Sequence, residues 1–123
     1  MSSVVANWFE IPTTDINRAK SFYESILQCE MQLVNTGGFD MCFFPGDGAQ
    51  GATGALINHE QYTPSHAGTL VYLMTQDVAE PLIRVVEAGG KILREKTLIA
   101  PEHGYMGVFE DTEGNRVALH SNQ

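Results

Sequence analysis

Apolar residues recur at steps of three and four between Ile16 and Leu27. Ile16, Ala19, Phe22, Tyr23, Ile26 and Leu27 form one stripe, and Asn17, Arg18, Lys20 and Glu24 fall outside it. That period predicts an amphipathic helix, with Thr13, Thr14 and Asp15 as cap residues at its start. Ahead of it, the stretch from Val4 to Ile11 predicts a strand stopped by Pro12. After it, strands are predicted over Met31 to Asn35, Phe39 to Phe44 and Thr53 to Ile57. Thr36-Gly37-Gly38 and Pro45-Gly46-Asp47-Gly48 supply turn chemistry between them. Asn58 to Gly68, which holds His59, Pro64, Ser65 and His66, predicts a connecting loop.

The pattern then restarts. Thr69 to Met74 predicts a strand, and Asp77 opens a helix carrying Val78, Leu82, Val85 and Val86. Pro81 fits the first turn, where a missing N–H is tolerated, and Gly89-Gly90 closes the helix. Lys91 to Thr97, Gly104 to Glu110 and Arg116 to His120 predict three more strands, with Asp111-Thr112-Glu113-Gly114-Asn115 as the tight turn between the last two. Asp15 and Asp77 stand 62 residues apart in a chain of 123, so the element order repeats with a period near half the length. The fold class expected is α+β: two tandem βαβββ modules, near 1–60 and 66–123, forming a curled mixed sheet with helices outside, all in a single domain over 1–123. A unit of four strands and one helix has little core alone, and two such sheets set edge to edge would curl around a concave surface suited to a ligand. Their exposed edges would also invite a second copy.

Composition narrows the function. The net charge is −8, from 7 Lys plus Arg against 15 Asp plus Glu, and the pI is near 4.8. With no basic cluster to meet phosphates, nucleic acid is not expected as a partner. No apolar run approaches the ~20 residues of a membrane helix, and no secretory leader is visible at the N-terminus, so a cytoplasmic protein without membrane contact is expected. Cys29 and Cys42 are read as buried, reduced thiols. His59 and His66 have no metal-ligand spacing. Gly46-x-Gly48-x-x-Gly51 mimics a dinucleotide fingerprint but no helix follows it.

Three stretches carry a family likeness: Phe9-Glu10-Ile11-Pro12, then Asp15 through Phe22-Tyr23, and Phe109-Glu110-Asp111-Thr112-Glu113-Gly114-Asn115-Arg116-Val117. In order and spacing they resemble the vicinal oxygen chelate superfamily, which includes glyoxalase I, bleomycin-resistance proteins and extradiol dioxygenases. Thr112 stands where that family usually has Pro, and Gln28 where Gly commonly ends the helix. The resemblance implies paired modules, usually a homodimer, and in the enzymes a divalent metal held by four side chains from the first and last strands of the two modules. Counted from the helix starts and the last turn, those positions fall on Ala6, Gly54, Thr69 and Ala118. None is a ligand, so the resemblance implies a glyoxalase-like member without the usual metal, and glyoxalase- or dioxygenase-like activity is disfavoured. No cofactor is expected. Glutathione loses support too, because Glu10 stands where glyoxalase I carries a glutathione-pairing Arg.

Strand alternation puts Ala6, Trp8 and Glu10 on one face and Arg116, Ala118 and His120 on another. Trp8, Glu10 and His120 are therefore expected at one concavity with Tyr72 in neighbouring space, and the resemblance implies that the loop Pro101 to Gly107 brings Tyr105 to its border; these five are the expected ligand-binding residues, with Glu10 and His120 the candidate catalytic pair. Beside this stands the plainer reading, in which Glu10 and His120 are merely solvated and Trp8 is core. The function expected is small-molecule binding in the concavity. The alternative is a lyase or isomerase of a small metabolite working through Glu10 and His120 or an unrecognised metal site.

Overall fold

The computed structural model describes residues 2–47, 49 and 51–123. The chain runs β1 (Trp8–Pro12), α1 (Ile16–Leu27), β2 (Gln32–Thr36), β3 (Phe39–Phe43) and β4 (Thr53–Asn58), then β5 (Tyr72–Met74), α2 (Ala79–Val85), β6 (Lys91–Ala100), β7 (Gly104–Glu110) and β8 (Arg116–Ser121). The strands form two four-stranded sheets ordered β1-β4-β3-β2 and β5-β8-β7-β6. In each, the first strand of the module pairs parallel to its last, and the other neighbours are antiparallel. The repeated βαβββ order read from the sequence is therefore the architecture, an α+β fold of two curled, unclosed sheets.

Three strand boundaries differ from expectation by more than one residue. β1 begins at Trp8 rather than Val4, and Val4 and Val5 are 100% and 80% exposed. The reason is its partner: Trp8 lies opposite Thr53, the first residue of β4, so no ladder remains for Val4 to Asn7 to join. β5 is confined to Tyr72–Met74, although the Val71 carbonyl still accepts the Ala118 N–H at 2.9 Å. β6 continues past Thr97 to Ala100, with register shifts along its pairing to β7. Gly48 of the predicted 45–48 turn lies outside the described residues.

α1 forms where the apolar stripe predicts it. Asp15 is extended and its carboxylate accepts the Arg18 N–H at 3.0 Å, as an N-cap does. The helix ends on Gln28, which adopts the left-handed conformation at φ 53° and ψ 54°, and its side-chain amide donates to the Ser25 carbonyl at 2.7 Å. The stripe enters one core shared by both modules. Phe22 and Tyr23 meet Phe109 of β7 with ring centroids 5.7 and 6.1 Å apart, and Tyr23 also meets Phe44 at 5.5 Å. Leu56 from β4 and Leu119 from β8 complete the same apolar cluster with Val78, Leu82 and Val85.

The turn between β7 and β8 clasps the first module. Asp111, only 2% exposed, accepts the Tyr23 hydroxyl at 2.7 Å and the N–H groups of Glu113 and Asn115, each at 2.9 Å. Asn115 donates its side-chain amide to the Pro12 carbonyl at 2.7 Å. Glu113 reaches the start of α1: its carboxylate accepts the N–H groups of Thr14 and Asp15 at 2.9 and 2.8 Å and Nε of Arg18 at 2.8 Å. An anion among the first N–H groups of a helix satisfies donors that would otherwise lack partners and complements the helix dipole.

Candidate functional site

Alternation along the strands gives each sheet a helix-covered face and an opposite one. In β1, Ile11 lies in the core and Phe9 packs against it, so Trp8 and Glu10 project from the other face. They touch: the Trp8 indole N–H donates to Glu10 Oε2 at 3.3 Å. Trp8 stands edge-on to Phe43 of β3, with ring centroids 5.7 Å apart and planes at 83°. The indole remains 42% exposed, a large apolar surface on an edge strand.

The second sheet repeats the arrangement. Leu73 packs on the core, while Tyr72 and Met74 are 50% and 69% exposed on the far face. In β8, Val117 and Leu119 are core residues, so Arg116, Ala118 and His120 share the far face. Ala118 lies beside Tyr72 and His120 beside Met74 in the β5–β8 register. His120 Nε2 lies 2.6 Å from the His103 carbonyl oxygen. A carbonyl only accepts, so Nε2 carries the hydrogen, and in the neutral ring Nδ1 is left as a base.

Tyr105 does not join this group. It lies opposite Ser121 in the β7–β8 ladder, packs against the shared core and carries Lys96 Nζ 4.6 Å above its ring. The residue that shares the far face with His120 is its ladder partner Met106. Thus the structure puts Trp8 with Glu10 on one sheet and Tyr72 with His120 on the other, and turns Tyr105 toward the helices.

The four positions counted for a metal also move. Ala6 precedes β1 and Thr69 precedes β5. Gly54 faces Phe9, since a Cβ there would lie 2.4 Å from the Phe9 carbonyl oxygen and 2.7 Å from its ring. Only Ala118 holds a strand position on the far face. The far-face residues of the four strands are Trp8, Glu10 and Pro12, Thr53, Ala55 and Ile57, Tyr72 and Met74, and Arg116, Ala118 and His120. Of these, only Glu10 and His120 carry side chains that suit a divalent metal, and they stand on different sheets. Among the described residues no three His, Cys, Asp or Glu side chains come together as a ligand group. The donor set therefore does not fit a four-side-chain metal centre.

A hollow of about 130 Å³ opens at the seam of the two sheets. Glu10 borders it from β1 and Arg116 from β8, and Thr63, Ser65, Thr69 and Val71 of the inter-module connection close it. That connection is tied down by Asn115, whose side-chain oxygen accepts the Ser65 N–H at 3.2 Å, and by the Ser65 carbonyl, which accepts the Arg116 N–H at 3.4 Å. Alternation had put Arg116 on the face of His120, but only the path of the connection shows that it borders a cavity with Glu10. The remaining polar candidates serve elsewhere. His59 stacks on Phe39 at 4.4 Å, and His66 donates to Glu110 at 2.7 Å. Cys42 is buried and its thiol is pushed up to about 11 by desolvation; burial and the nearby Glu24 raise Cys29 as well. Neither is an activated nucleophile.

A family model described as Glyoxalase/Bleomycin resistance protein/Dioxygenase superfamily matches residues 5–119. A "Glyoxylase-like domain-containing protein" of Didymella fabae is 27% identical over 113 residues, covering 89% of this chain and 88% of its own. Among solved structures, a glyoxalase/bleomycin resistance protein from Albidiferax ferrireducens superposes with a TM-score of 0.74 at 13% identity, over 96% of this chain and 98% of that one. Glyoxalase I from Zea mays superposes with a TM-score of 0.67 at 23% identity, over 94% of this chain. The chain spans only 45% of the maize protein. At these identities the structural likenesses establish the fold.

Proposed function

The chain belongs to the glyoxalase/bleomycin resistance protein/dioxygenase superfamily, and on that premise we propose that it binds a small organic molecule at the far faces of its two sheets, without a resident metal. The observation that carries this reading is the hydrogen-bonded pair of Trp8 and Glu10 on the face of β1 turned away from the helices, where Glu10 borders the seam hollow. An indole and a carboxylate with spare lone pairs offer stacking and charge to a ligand, whereas the far-face donors do not make a metal centre. A second copy of this chain is the partner we propose. β1 and β5 are edge strands that pair with no further strand among the described residues, and Tyr72 and Met74 of β5 are exposed. The free thiols Cys29 and Cys42 favour a reducing compartment such as the cytoplasm.

Trp8 is the chain's one tryptophan, so its fluorescence reports this face directly. A small-molecule screen read by Trp8 emission should yield saturable binding, and equilibrium dialysis against Ni, Zn and Mn should leave substoichiometric metal. Tight one-to-one binding of any of these ions would overturn the metal-free reading. One observation favours a catalytic variant of this function: the His103 carbonyl fixes the His120 tautomer and leaves Nδ1 free to take a proton. Turnover that His120→Ala abolishes, with ligand affinity retained, would establish it.

A further inference from the structure

Arg116 lies directly across the β7–β8 ladder from Glu110, its natural ion-pair partner. Glu110 is otherwise engaged. Its Oε1 accepts from His66 Nε2 at 2.7 Å and its Oε2 stands 3.9 Å from Lys91 Nζ. No ion pair to Arg116 forms among the described residues, in a chain where acids outnumber bases 15 to 7. Glu10 is in the converse state: its carboxylate accepts one hydrogen bond, from the Trp8 indole at 3.3 Å, and no cation pairs with it among the described residues. These two unneutralised groups of opposite sign border one hollow from different sheets, and no ion pair forms between them among the described residues.

We propose that the hollow binds a small zwitterion of the α-amino-acid class, its carboxylate on Arg116 and its ammonium on Glu10. This rests on the binding role proposed above and names its ligand. A free cation would satisfy Glu10 but face the guanidinium, and a free anion would satisfy Arg116 but face the carboxylate. Only a ligand carrying both charges a few ångströms apart meets both without repulsion. The volume agrees. About 130 Å³ is roughly four times the ~30 Å³ share of a water molecule, which is room for the charged head of an amino acid with its side chain directed out of the mouth. It is well below the ~300 Å³ at which drug-sized pockets begin. Thr63 and Thr69 add hydroxyls at the wall.

Calorimetric titration with L-alanine, propionate and ethylamine tests this. L-Alanine should bind at least tenfold more tightly than either singly charged analogue, and N-acetylalanine and alaninamide should lose the same factor. Glu10 and Arg116 are exposed, so their variants keep the fold. Glu10→Gln and Arg116→Gln should each weaken alanine at least tenfold, and Arg116→Lys, which retains the charge, should recover part of the loss. Equal affinity for propionate or ethylamine, or no saturable alanine binding at millimolar concentration, overturns the proposal. If alanine fails while another compound saturates Trp8 emission, the zwitterion assignment falls and the binding role stands. If no compound saturates it, both fall.

Discussion

Glu113 gives the sharpest test of how the two modules hold together. Its side chain is fully buried, and its carboxylate accepts the N–H groups of Thr14 and Asp15, the Thr14 and Thr112 hydroxyls and the Arg18 guanidinium. Burial alone would raise its pKa, but the hydrogen bonds from Arg18, Asp15 and Thr14 outweigh that and hold it at about 2, against an ordinary 4.5. At ~1.4 kcal/mol per pKa unit the gap corresponds to an upper bound of about 3 kcal/mol. Arg18 is half exposed, so solvent screens its share, and about 2 kcal/mol is expected to remain. The folded pKa is depressed, so this stabilisation is present in full above the unfolded value near 4.5. It is lost as pH falls from there through 2. Glu113→Gln keeps the shape and removes the charge. Urea denaturation at pH 7 should show the variant about 2 kcal/mol less stable than the parent, and the difference should shrink steadily between pH 4.5 and 2. A difference below about 0.5 kcal/mol at pH 7, or one that does not change over that window, would refute the clasp.

The buried Tyr23 hydroxyl donates to Asp111 at 2.7 Å, so Tyr23→Phe should cost about 1.5–3 kcal/mol in urea denaturation, the range for a hydrogen bond to a charged group; a loss under 0.5 would argue against it. Burial lifts the Cys42 thiol from 9.0 to about 11, leaving roughly a hundredfold less thiolate at pH 8. Ellman's reagent should therefore label Cys42 some hundredfold more slowly in the native protein than in the denatured one, and equal rates would contradict its burial. Gly54→Ala would press a methyl against the Phe9 carbonyl and should destabilise β1–β4 pairing by up to about 3 kcal/mol, seen as a lowered Tm; an unchanged Tm would mean Gly54 does not face Phe9.

What could be read from the sequence depended on whether the cause was local. The apolar stripe of α1 and its Asp15 cap are set by residues within one turn of each other, and both appear as predicted. The start of β1 is not local, because its length is set by where β4 begins, at Thr53 across the ladder. The count lands on Ala6, two residues ahead of the first residue of β1, so alternation puts Trp8 and Glu10 on one face while Ala6 itself lies outside the ladder. The count to Gly54 lands between Thr53 and Ala55, and one residue turns a side chain to the other face. Tyr105 shows the same dependence, since its direction follows from pairing with Ser121 sixteen residues on. The Asp111–Asn115 turn was legible as a turn. That Glu113 would cap a helix 98 residues earlier was not, because nothing near it in the chain encodes that contact.

The two faces of each sheet answer to different constraints. On the helix side, Phe22, Tyr23, Phe109 and Leu119 interlock across both modules, and Asp111 and Asn115 are bonded at nearly every polar atom. A change there is felt as a cavity or an unpaired polar group. On the far side, Trp8, Glu10, Tyr72, Met74 and Arg116 are exposed and Arg116 is unpaired among the described residues. The fold asks little of these positions beyond strand-compatible backbone. Four metal donors, an aromatic and acidic pair, or two opposed charges could stand on this face with the same core beneath. The family match spans residues 5–119 and so takes in both faces, whereas the chemistry proposed for this chain rests on the far side. Variants at Glu10 and Arg116 should accordingly move ligand affinity without moving the denaturation midpoint, and those at Tyr23 and Glu113 should do the reverse.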